Sequence, residues 1–292
     1  MHLPVLLQRV VEALRVKSGE IFLDCTVGSG GHIIAIAQAA GGSVIAIGLD
    51  EDEDALARTK GRLAEAGIVA MLRRENFRNL DKALQESRIA SVDAILFDLG
   101  VSTDEFLESG RGFSFSKDEP LLMTFRKSHE DGGLTARQVV NEWGEENLAT
   151  ILLGFGGERY AKRIARAIVA ARERAPIETS KALSDIVSSA VPRFGRTHPA
   201  TKTFQAIRMA VNDELSALEE GLRKAPAMLK EGGRIAVISF HSGEDRIVKR
   251  FFKEAEKNGV GTTSKKPVVP SREEIQSNPR SRSAKLRVFI KR

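Results

Sequence analysis

The first hundred residues alternate between short apolar runs and longer amphipathic stretches. The apolar runs are typical of buried strands, and the stretches between them repeat with the period of a helix. The predicted strands are Ile21–Cys25, Ser43–Leu49, Val69–Arg73 and Val92–Leu99. The predicted helices lie around His32–Ala40, Glu53–Ala66 and Leu80–Glu86. Near-continuous apolar strands that alternate with helices indicate a parallel sheet covered on both faces.

This alternation stops after the fourth predicted strand and resumes near residue 200. Between the fourth strand and residue 200 the pattern predicts helices and no strand. One of these helices begins at a Thr135–Gln138 capping box, and another covers Glu158–Arg174. An apolar stripe then predicts a single long helix over Thr203–Leu229. The last predicted elements are the strand Arg234–Phe240, the helix Asp245–Glu256, a loop at 265–283 and the strand Lys285–Lys291. We therefore predict an α/β domain with a doubly wound sheet, formed by residues 1–106 and 200–292, and an inserted all-helical domain at 107–199.

The turn after the first predicted strand carries the clearest chemical signal. Asp24 ends the apolar run, and the turn that follows contains Gly28, Gly30 and Gly31 before His32 enters the next helix. A strand, a glycine turn and a helix form the entry of a nucleotide-binding βαβ unit. The backbone N–H groups of such a turn suit a carboxylate or phosphate, and an acid at the strand end suits an amino group.

Two classes of cofactor use this entry. Dinucleotides require a third glycine in G-x-G-x-x-G, and Ile33 occupies that position, so the residues favour S-adenosylmethionine over a nicotinamide dinucleotide. Asp50 stands about where a carboxylate meets a ribose, although the N-cap of the next helix is a compatible interpretation. Asp98 ends the fourth strand, at the edge where open sheets bind ligands. Phe77 is placed to contact an adenine, and ordinary core packing is an equally good interpretation.

Basic residues exceed acidic residues by six, with a sequence pI near 9.5. Four of them recur at helical spacing within the predicted helix Glu158–Arg174, opposite an apolar side, without an acidic partner in the sequence. A stripe of one charge suits phosphate groups, and a solvated surface is the alternative interpretation. With two residues that would extend the stripe, the candidate phosphate-binding set is Arg159, Lys162, Arg163, Arg166, Lys202 and Arg208.

Composition excludes several classes of protein. Cys25 is the single cysteine, which excludes an internal disulfide, suits a reducing cytoplasm and is expected to pack in the core. No apolar run approaches the ~18 residues of a membrane span, so we expect no membrane partner. The sequence also gives no reason to expect a metal.

Ordered matches along nearly the whole chain resemble the bacterial 16S ribosomal RNA (cytosine-N4)-methyltransferases, the RsmH or MraW family. The matching stretches include His2–Leu6, Asp24–His32, Asp98–Ser102, Arg111–Phe115, Arg163–Ile168, His198–Arg208, Val211–Leu215, Ser239–Ser242, Glu244–Lys249 and Asn278–Arg280. The resemblance implies a class I methyltransferase (Rossmann-like) fold with a helical insertion. It implies S-adenosyl-L-methionine as cofactor and methylation of the exocyclic N4 of a cytidine in the decoding region of 16S rRNA. The implied partner is 16S rRNA or the 30S subunit in the cytoplasm, with a homodimer left open.

The resemblance also implies roles for individual residues. The family's cofactor contacts match Gly30, Gly31, His32, Asp50, Phe77, Asp98 and Glu105. Glu105 stands where the family usually has a glutamine, which adds a negative charge. The loop Pro120–Phe125 lacks the family's usual acid and arginine, and Gly243 replaces its usual leucine. The basic stripe becomes a set of candidate RNA-binding residues.

Methyl transfer to a cytosine amine requires in-line geometry and an acceptor for the amine proton. Asp98 is our first candidate for this acceptor, with Ser102 and His241 as weaker candidates. The aromatic residue that stacks on the base would be Phe113 or Phe115. Two alternatives stay open: a DNA amino-methyltransferase, and an RNA-binding ribosome-assembly factor whose cofactor site has degraded.

Overall fold

The computed structural model describes residues 3–99, 109–126, 133–192 and 198–292. The chain divides into two compact units, which we call the first unit (residues 1–100 and 215–292) and the second unit (residues 101–214). The second unit extends beyond the range 107–199 expected from the hydrophobic pattern. On its C-terminal side it includes a helix over Thr201–Val211 that packs on two other helices of the same unit.

The secondary structure follows the chain in three stretches. Up to residue 98 the elements are α1 (Leu7–Leu14), β1 (Ile21–Asp24), α2 (Gly31–Ala40), β2 (Ile45–Asp50), α3 (Glu53–Glu65), β3 (Ala70–Arg74), α4 (Leu80–Glu86) and β4 (Val92–Asp98). The next stretch contains α5 (Ala136–Glu142), α6 (Glu145–Gly154), α7 (Ala161–Arg172), α8 (Ser180–Ala190) and α9 (Thr201–Val211). The last contains α10 (Glu214–Met228), β5 (Leu229–Ser239), α11 (Ser242–Lys257), β6 (Gly261–Thr263), α12 (Arg272–Ser277) and β7 (Lys285–Lys291).

The strands of the first unit form a single twisted sheet. Within the described residues the strand order is β3-β2-β1-β4-β5-β7-β6, parallel from β3 to β5, with β7 antiparallel to both of its neighbours. This arrangement confirms the predicted α/β class with a doubly wound sheet. Successive side chains of a strand point to opposite faces of the sheet, so Leu23 and Phe22 enter different apolar clusters.

Helices cover both faces of this sheet, which explains why its strands read as continuous apolar runs. One face packs on α4, α10 and α11, and the other packs on α1, α2 and α3. Burying each leucine or isoleucine side chain in such a core contributes about 1.5–3 kcal/mol. The parallel strands all end at one edge of the sheet, so the side chains that follow β1, β2 and β4 share that edge.

The predicted loop at 265–283 contains regular structure that the sequence did not reveal. α12 lies within it, and the three-residue β6 precedes it. Both elements contain too few residues to show the repeating pattern of apolar positions from which strands and helices are recognised. α12 is capped by Ser271, whose hydroxyl accepts from the N–H of Glu274.

The second unit has a helical core of its own. Thr135 and Gln138 form the predicted capping box at the start of α5, which confirms that prediction. α7 begins at Ala161 rather than at Glu158, because the buried Glu158 side chain accepts from the N–H of Tyr160 before the helix starts. The apolar side of α7 is fully buried, as predicted from its spacing.

The single helix predicted over Thr203–Leu229 is wrong. Two helices, α9 and α10, occupy this range, and Asp213 between them has a φ of 49°. The neighbouring Asn212 side chain donates to the carbonyl of Met123 and accepts from the N–H of Phe125. The backbone therefore leaves the helical conformation at the point where the side-chain amide of Asn212 holds a loop of the second unit.

No helix among the described residues is both long enough and apolar enough to cross a membrane.

Candidate functional site

The glycine turn between β1 and α2 is tied to the end of β2. The N–H of Gly28 donates to Oδ2 of Asp50 at 3.0 Å, and the hydroxyl of Thr59 in α3 donates to the carbonyl of Gly28. Gly28 and Gly30 have φ values of 47° and 75°, which favour glycine. A Cβ atom on Gly30 would also lie 2.9 Å from the methyl group of Thr59. The turn is therefore fixed by its neighbours before any ligand binds.

Gly30 and Gly31 stand at the N-terminal end of α2. Gly30 occupies the N-cap position without a side chain to accept hydrogen bonds, and Gly31 is the first helical residue. The first N–H groups of a helix have no intrahelical acceptor, and the helix dipole favours negative charge there. This end of α2 therefore suits an anionic group of a ligand.

Three ionisable side chains come together beside the turn. Nε2 of His32 lies 3.3 Å from Oδ2 of Asp98, and Oδ1 of Asp24 accepts from the N–H of Thr26 at 3.1 Å. Thr26 in turn accepts from the N–H of Asp98 at 2.7 Å through its hydroxyl. The sequence missed this role of Thr26, and its place just after a strand end is the one signal that pointed to it.

Each of these three ionisable side chains has one polar atom that makes no hydrogen bond with the part of the chain that the structure describes. Oδ2 of Asp24, Nδ1 of His32 and Oδ1 of Asp98 are buried and have no partner among the residues that the structure describes. Buried polar atoms are rarely left without a partner, because each costs about 1–3 kcal/mol. The arrangement therefore suits a ligand that donates hydrogen bonds or carries positive charge.

Burial also perturbs the acids at this edge of the sheet. Burial raises the pKa of Asp24 to about 6, although His32 and the N–H of Thr26 act in the opposite direction, and Asp98 adds a smaller rise. Burial raises the pKa of Asp50 to about 7, although the N–H groups of Asp52 and Gly28 act in the opposite direction. Both carboxylates would ionise more readily once a cation or a hydrogen-bond donor reached them.

Asp50 acts on the turn rather than as a helix cap. Its Oδ1 accepts from the N–H of Asp52 at 2.9 Å and its Oδ2 from Gly28, so both oxygens already have a backbone partner. The N-cap of α3 is Asp52, whose side chain accepts from the N–H of Asp54. Each carboxylate oxygen accepts more than one hydrogen bond, so Asp50 keeps the capacity to bind a hydroxyl group.

Phe77 lies in a short 3₁₀ turn after β3 and is half-buried. Its ring meets Phe97 edge to face, with ring centres 5.6 Å apart, and a Cβ atom on Gly221 would lie 3.2 Å from its Cδ2. Core packing therefore accounts for part of this ring. The adjacent Asn76 is buried, and its side chain accepts from the N–H of Arg78 and donates to Glu51.

His241 is the N-cap of α11. Its Nδ1 accepts from the N–H groups of Gly243 and Glu244 at 3.2 and 3.4 Å, and the Glu244 carboxylate accepts from the N–H of His241 in return. Nε2 lies 3.0 Å from Oε1 of Glu244. The structure thus gives His241 a helix-capping role that its position after a strand did not reveal. The other two sequence candidates, Ser102 and Glu105, lie outside the described residues.

The basic residues predicted from spacing are exposed on the second unit, with two differences from the expectation. Arg159 precedes α7, and its guanidinium lies 4.7 Å from the centre of the Tyr160 ring. Lys162, Arg163 and Arg166 lie in α7 and are exposed. The expectation of a stripe without an acidic partner is wrong at Arg166, whose Nε lies 3.7 Å from Oε1 of Glu145.

The two residues expected to extend the stripe have partners within the second unit. Nζ of Lys202 donates to the carbonyl of Gly157 at 3.0 Å. Arg208 makes a two-point pair with Glu214, with donor–acceptor distances of 2.7 and 2.8 Å. Because this pair is largely buried, the positive charge of Arg208 is already balanced.

The two aromatic candidates also have ring partners in the second unit. Phe113 stacks on Phe125 with ring centres 6.1 Å apart, and Phe115 stacks on His198 at 4.5 Å. Phe204 meets Phe115 edge to face. Both rings pack against the apolar core of this unit, so their first role is to shape it.

Known proteins match this chain along its full length. The MraW methylase family matches residues 1–292. The chain is 44% identical over 309 residues to "Ribosomal RNA small subunit methyltransferase H" of Symbiobacterium thermophilum, covering 99% of this chain and 96% of the relative. It is 45% identical to the protein of that name from Syntrophotalea carbinolica, covering 99% and 97%. The chain therefore belongs to the MraW methylase family, whose members are S-adenosylmethionine-dependent methyltransferases.

Proposed function

We propose that this enzyme methylates the exocyclic N4 of a cytidine in the decoding region of 16S rRNA. The observation that carries the proposal is the cluster of Asp24, His32 and Asp98 beside a glycine turn, where three buried polar atoms have no partner within residues 3–99, 109–126, 133–192 and 198–292. Family membership supplies the methyl donor, and the relatives named as small-subunit rRNA methyltransferases support the class of substrate.

The described residues fit S-adenosylmethionine. The open carboxylate oxygen of Asp24 suits its ammonium group, and the N–H of Gly31 at the start of α2 suits its carboxylate. Gly30, whose own N–H donates to the carbonyl of Val27, would shape the turn against this carboxylate. Asp50 would accept from a ribose hydroxyl, and Phe77 would contact the adenine. Gly28 serves indirectly, since its N–H holds Asp50 in place. Glu105 enters this proposal on the strength of the family resemblance alone.

The bound cofactor would supply a methyl group on a positively charged sulfur. A cytosine amine is a weak nucleophile, because its lone pair is delocalised into the ring. Oδ1 of Asp98 would accept a hydrogen bond from the amine and take its proton as the new N–CH₃ bond forms and the S–CH₃ bond breaks. His32 would hold Asp98 in position through its contact with Oδ2. His241, which caps a helix, and Ser102 are weaker candidates for the same role.

The second unit is our proposed substrate-recognition domain. Exposed Lys162, Arg163 and Arg166 provide positive charge on one helix, and phosphate contacts supply a large share of the affinity of proteins for nucleic acids. Arg159 extends this charge beyond the start of the helix. Arg208 would contribute less, because its largely buried pair with Glu214 already balances its charge, and Lys202 would contribute less, because its Nζ is held by the carbonyl of Gly157. The exposed pair of Arg166 with Glu145 is longer, at 3.7 Å. The proposed partner is 16S rRNA, free or within the 30S subunit, in the cytoplasm, and a homodimer is left open.

The deciding experiment transfers tritiated methyl groups from S-adenosylmethionine to 30S subunits, followed by digestion to nucleosides. We expect label in N4-methylcytidine, and we expect Asp98→Asn to lose the label even at a cofactor concentration that saturates the variant. Free 16S rRNA and duplex DNA serve as parallel substrates. Label in DNA alone would contradict the RNA assignment. Binding of 30S subunits without any label would favour the assembly-factor alternative.

A further inference from the structure

The first described residues of the chain lie across the glycine turn. A Cβ atom on Gly31 would lie 2.4 Å from Cγ of Pro4, a distance that real Cβ atoms essentially never show. Gly31 does not have a positive φ, unlike Gly28 and Gly30. The requirement for glycine at this position is therefore one of space, because the Pro4 ring packs directly on the backbone.

The segment that carries Pro4, which we call the N-terminal strap (residues 3–6), is held by the opposite end of the chain. The N–H of Leu6 donates to Oε1 of Glu274 at 2.6 Å, and Nδ2 of Asn278 donates to the carbonyl of Leu3 at 3.1 Å. Glu274 lies in the first turn of α12, and Asn278 is its C-cap. Both ends of one short helix therefore fasten the strap.

The strap has a defined conformation that these contacts maintain. Leu6 has a φ of 53°, which is strained for a residue with a Cβ atom and persists only where its surroundings hold it. Its side chain is 1% exposed and enters the apolar cluster that contains Ile33 and Ile36 of α2. The strap thus shares an apolar cluster with α2 through Leu6, and through Pro4 it packs on Gly31, the residue that opens α2.

We propose that α12 positions the cofactor-binding turn through the N-terminal strap. Glu274 and Asn278 fix the strap, and Pro4 then fixes the backbone of Gly31 at the helix end that would meet the cofactor's carboxylate. Glu274 and Pro4 are positioning residues, since they act through Gly31. The inference rests on the proposed function, because its main readout is affinity for S-adenosylmethionine.

Glu274→Ala tests the contact, with Glu273→Ala as the matched control. Both residues are acids in the first turn of α12, and the N–H of Leu6 donates to Glu274. We expect Glu274→Ala to raise the Kd for S-adenosylmethionine by as much as about tenfold, because the strap loses a hydrogen bond to a charged acceptor and must then be ordered when the cofactor binds. KM for the cofactor should rise with it, while kcat at saturation stays unchanged. Hydrogen exchange at the Leu6 amide should accelerate in Glu274→Ala alone.

A double-mutant cycle tests the contact of Pro4 with Gly31. We expect Gly31→Ala to weaken cofactor binding strongly in the wild-type background and less in the Pro4→Gly background, because the colliding ring is then absent. Thermal unfolding of each variant without cofactor shows whether the chain remains folded.

The outcomes separate this inference from the function on which it rests. If the wild-type chain does not bind S-adenosylmethionine, the proposed function fails, and the inference fails with it. If the wild type binds and Glu274→Ala binds as tightly as Glu273→Ala, the proposed function stands and the inference is overturned. Additive effects of the Pro4 and Gly31 substitutions, or a fall in kcat without a rise in KM, would also overturn it.

Discussion

Replacing Asp24 by asparagine tests whether this buried acid meets the ammonium group of the cofactor. Oδ1 of Asp24 accepts from the N–H of Thr26, whereas Oδ2 has no partner among the described residues. Asparagine keeps one oxygen for Thr26 and places an uncharged NH₂ group where the second oxygen stood. The substitution therefore removes the ionisation of Asp24 with little change in its shape.

The size of the effect follows from the pKa of Asp24, which burial raises to about 6. Only the ionised form would attract a cation, so the apparent Kd is the intrinsic value divided by the ionised fraction. At pH 5 about one Asp24 in eleven is ionised, so the titration of Asp24 alone weakens binding about tenfold relative to pH 8. Asp50, with a pKa of about 7, titrates in both proteins. The difference between wild type and Asp24→Asn therefore isolates Asp24.

Isothermal titration calorimetry of the full-length protein with S-adenosylmethionine from pH 5 to pH 8 measures this effect. We expect Asp24→Asn to bind more weakly than wild type at pH 8 and the gap to close toward pH 5. Titrations at pH 6 in buffers of different ionisation enthalpy should show that wild type releases about half a proton more than the variant. Parallel pH profiles for the two proteins would refute the pairing of Asp24 with the ammonium group.

Three further predictions concern RNA binding and stability. Arg163→Glu and Arg166→Glu should each weaken binding to 16S rRNA and reduce its dependence on salt, while calorimetry shows unchanged cofactor affinity. RNA affinity equal to that of wild type at matched salt would reject the assignment. Gly30→Ala should lower the free energy of unfolding by more than about 1 kcal/mol, because its φ of 75° and a nearby threonine methyl both oppose a Cβ atom, and urea denaturation measures this. Ile164→Ala should destabilise the second unit by about 2–5 kcal/mol, and an unfolding transition like that of wild type would contradict its burial in that core.

The order of elements in the first unit was predictable because buried parallel strands leave a strong signal. Each of β1, β2 and β4 is an apolar run that ends in an acid, and parallel strands bring those ends to one edge. The break between α9 and α10 was not predictable from periodicity. It depends on Asn212 fastening a loop near Met123 and Phe125, which are far away in sequence.

The position of the candidate site was predictable from the sequence, whereas the hydrogen bonds and ion pairs of each side chain were less so. The strand ends indicated Asp24, Asp50 and Asp98, but a hydrogen-bond partner depends on the folded backbone. His241 caps a helix, and Arg208 pairs with Glu214 across the helix break that the sequence did not reveal. The bond between Leu6 and Glu274 spans 268 positions, so no local pattern could have indicated it.

The distribution of hydrogen bonds among the three acids explains why this glycine turn suits a sulfonium cofactor better than a dinucleotide. Both oxygens of Asp50 accept from the backbone, whereas Asp24 and Asp98 each keep one buried oxygen without a partner in the described part of the chain. A diphosphate at this turn would bring negative charge toward two buried acids, with His32 beside them as the one basic group in the cluster. S-adenosylmethionine brings an ammonium group and a positively charged sulfur instead. The electrostatics of the turn therefore select against the dinucleotide independently of Ile33, whose side chain already breaks the dinucleotide motif.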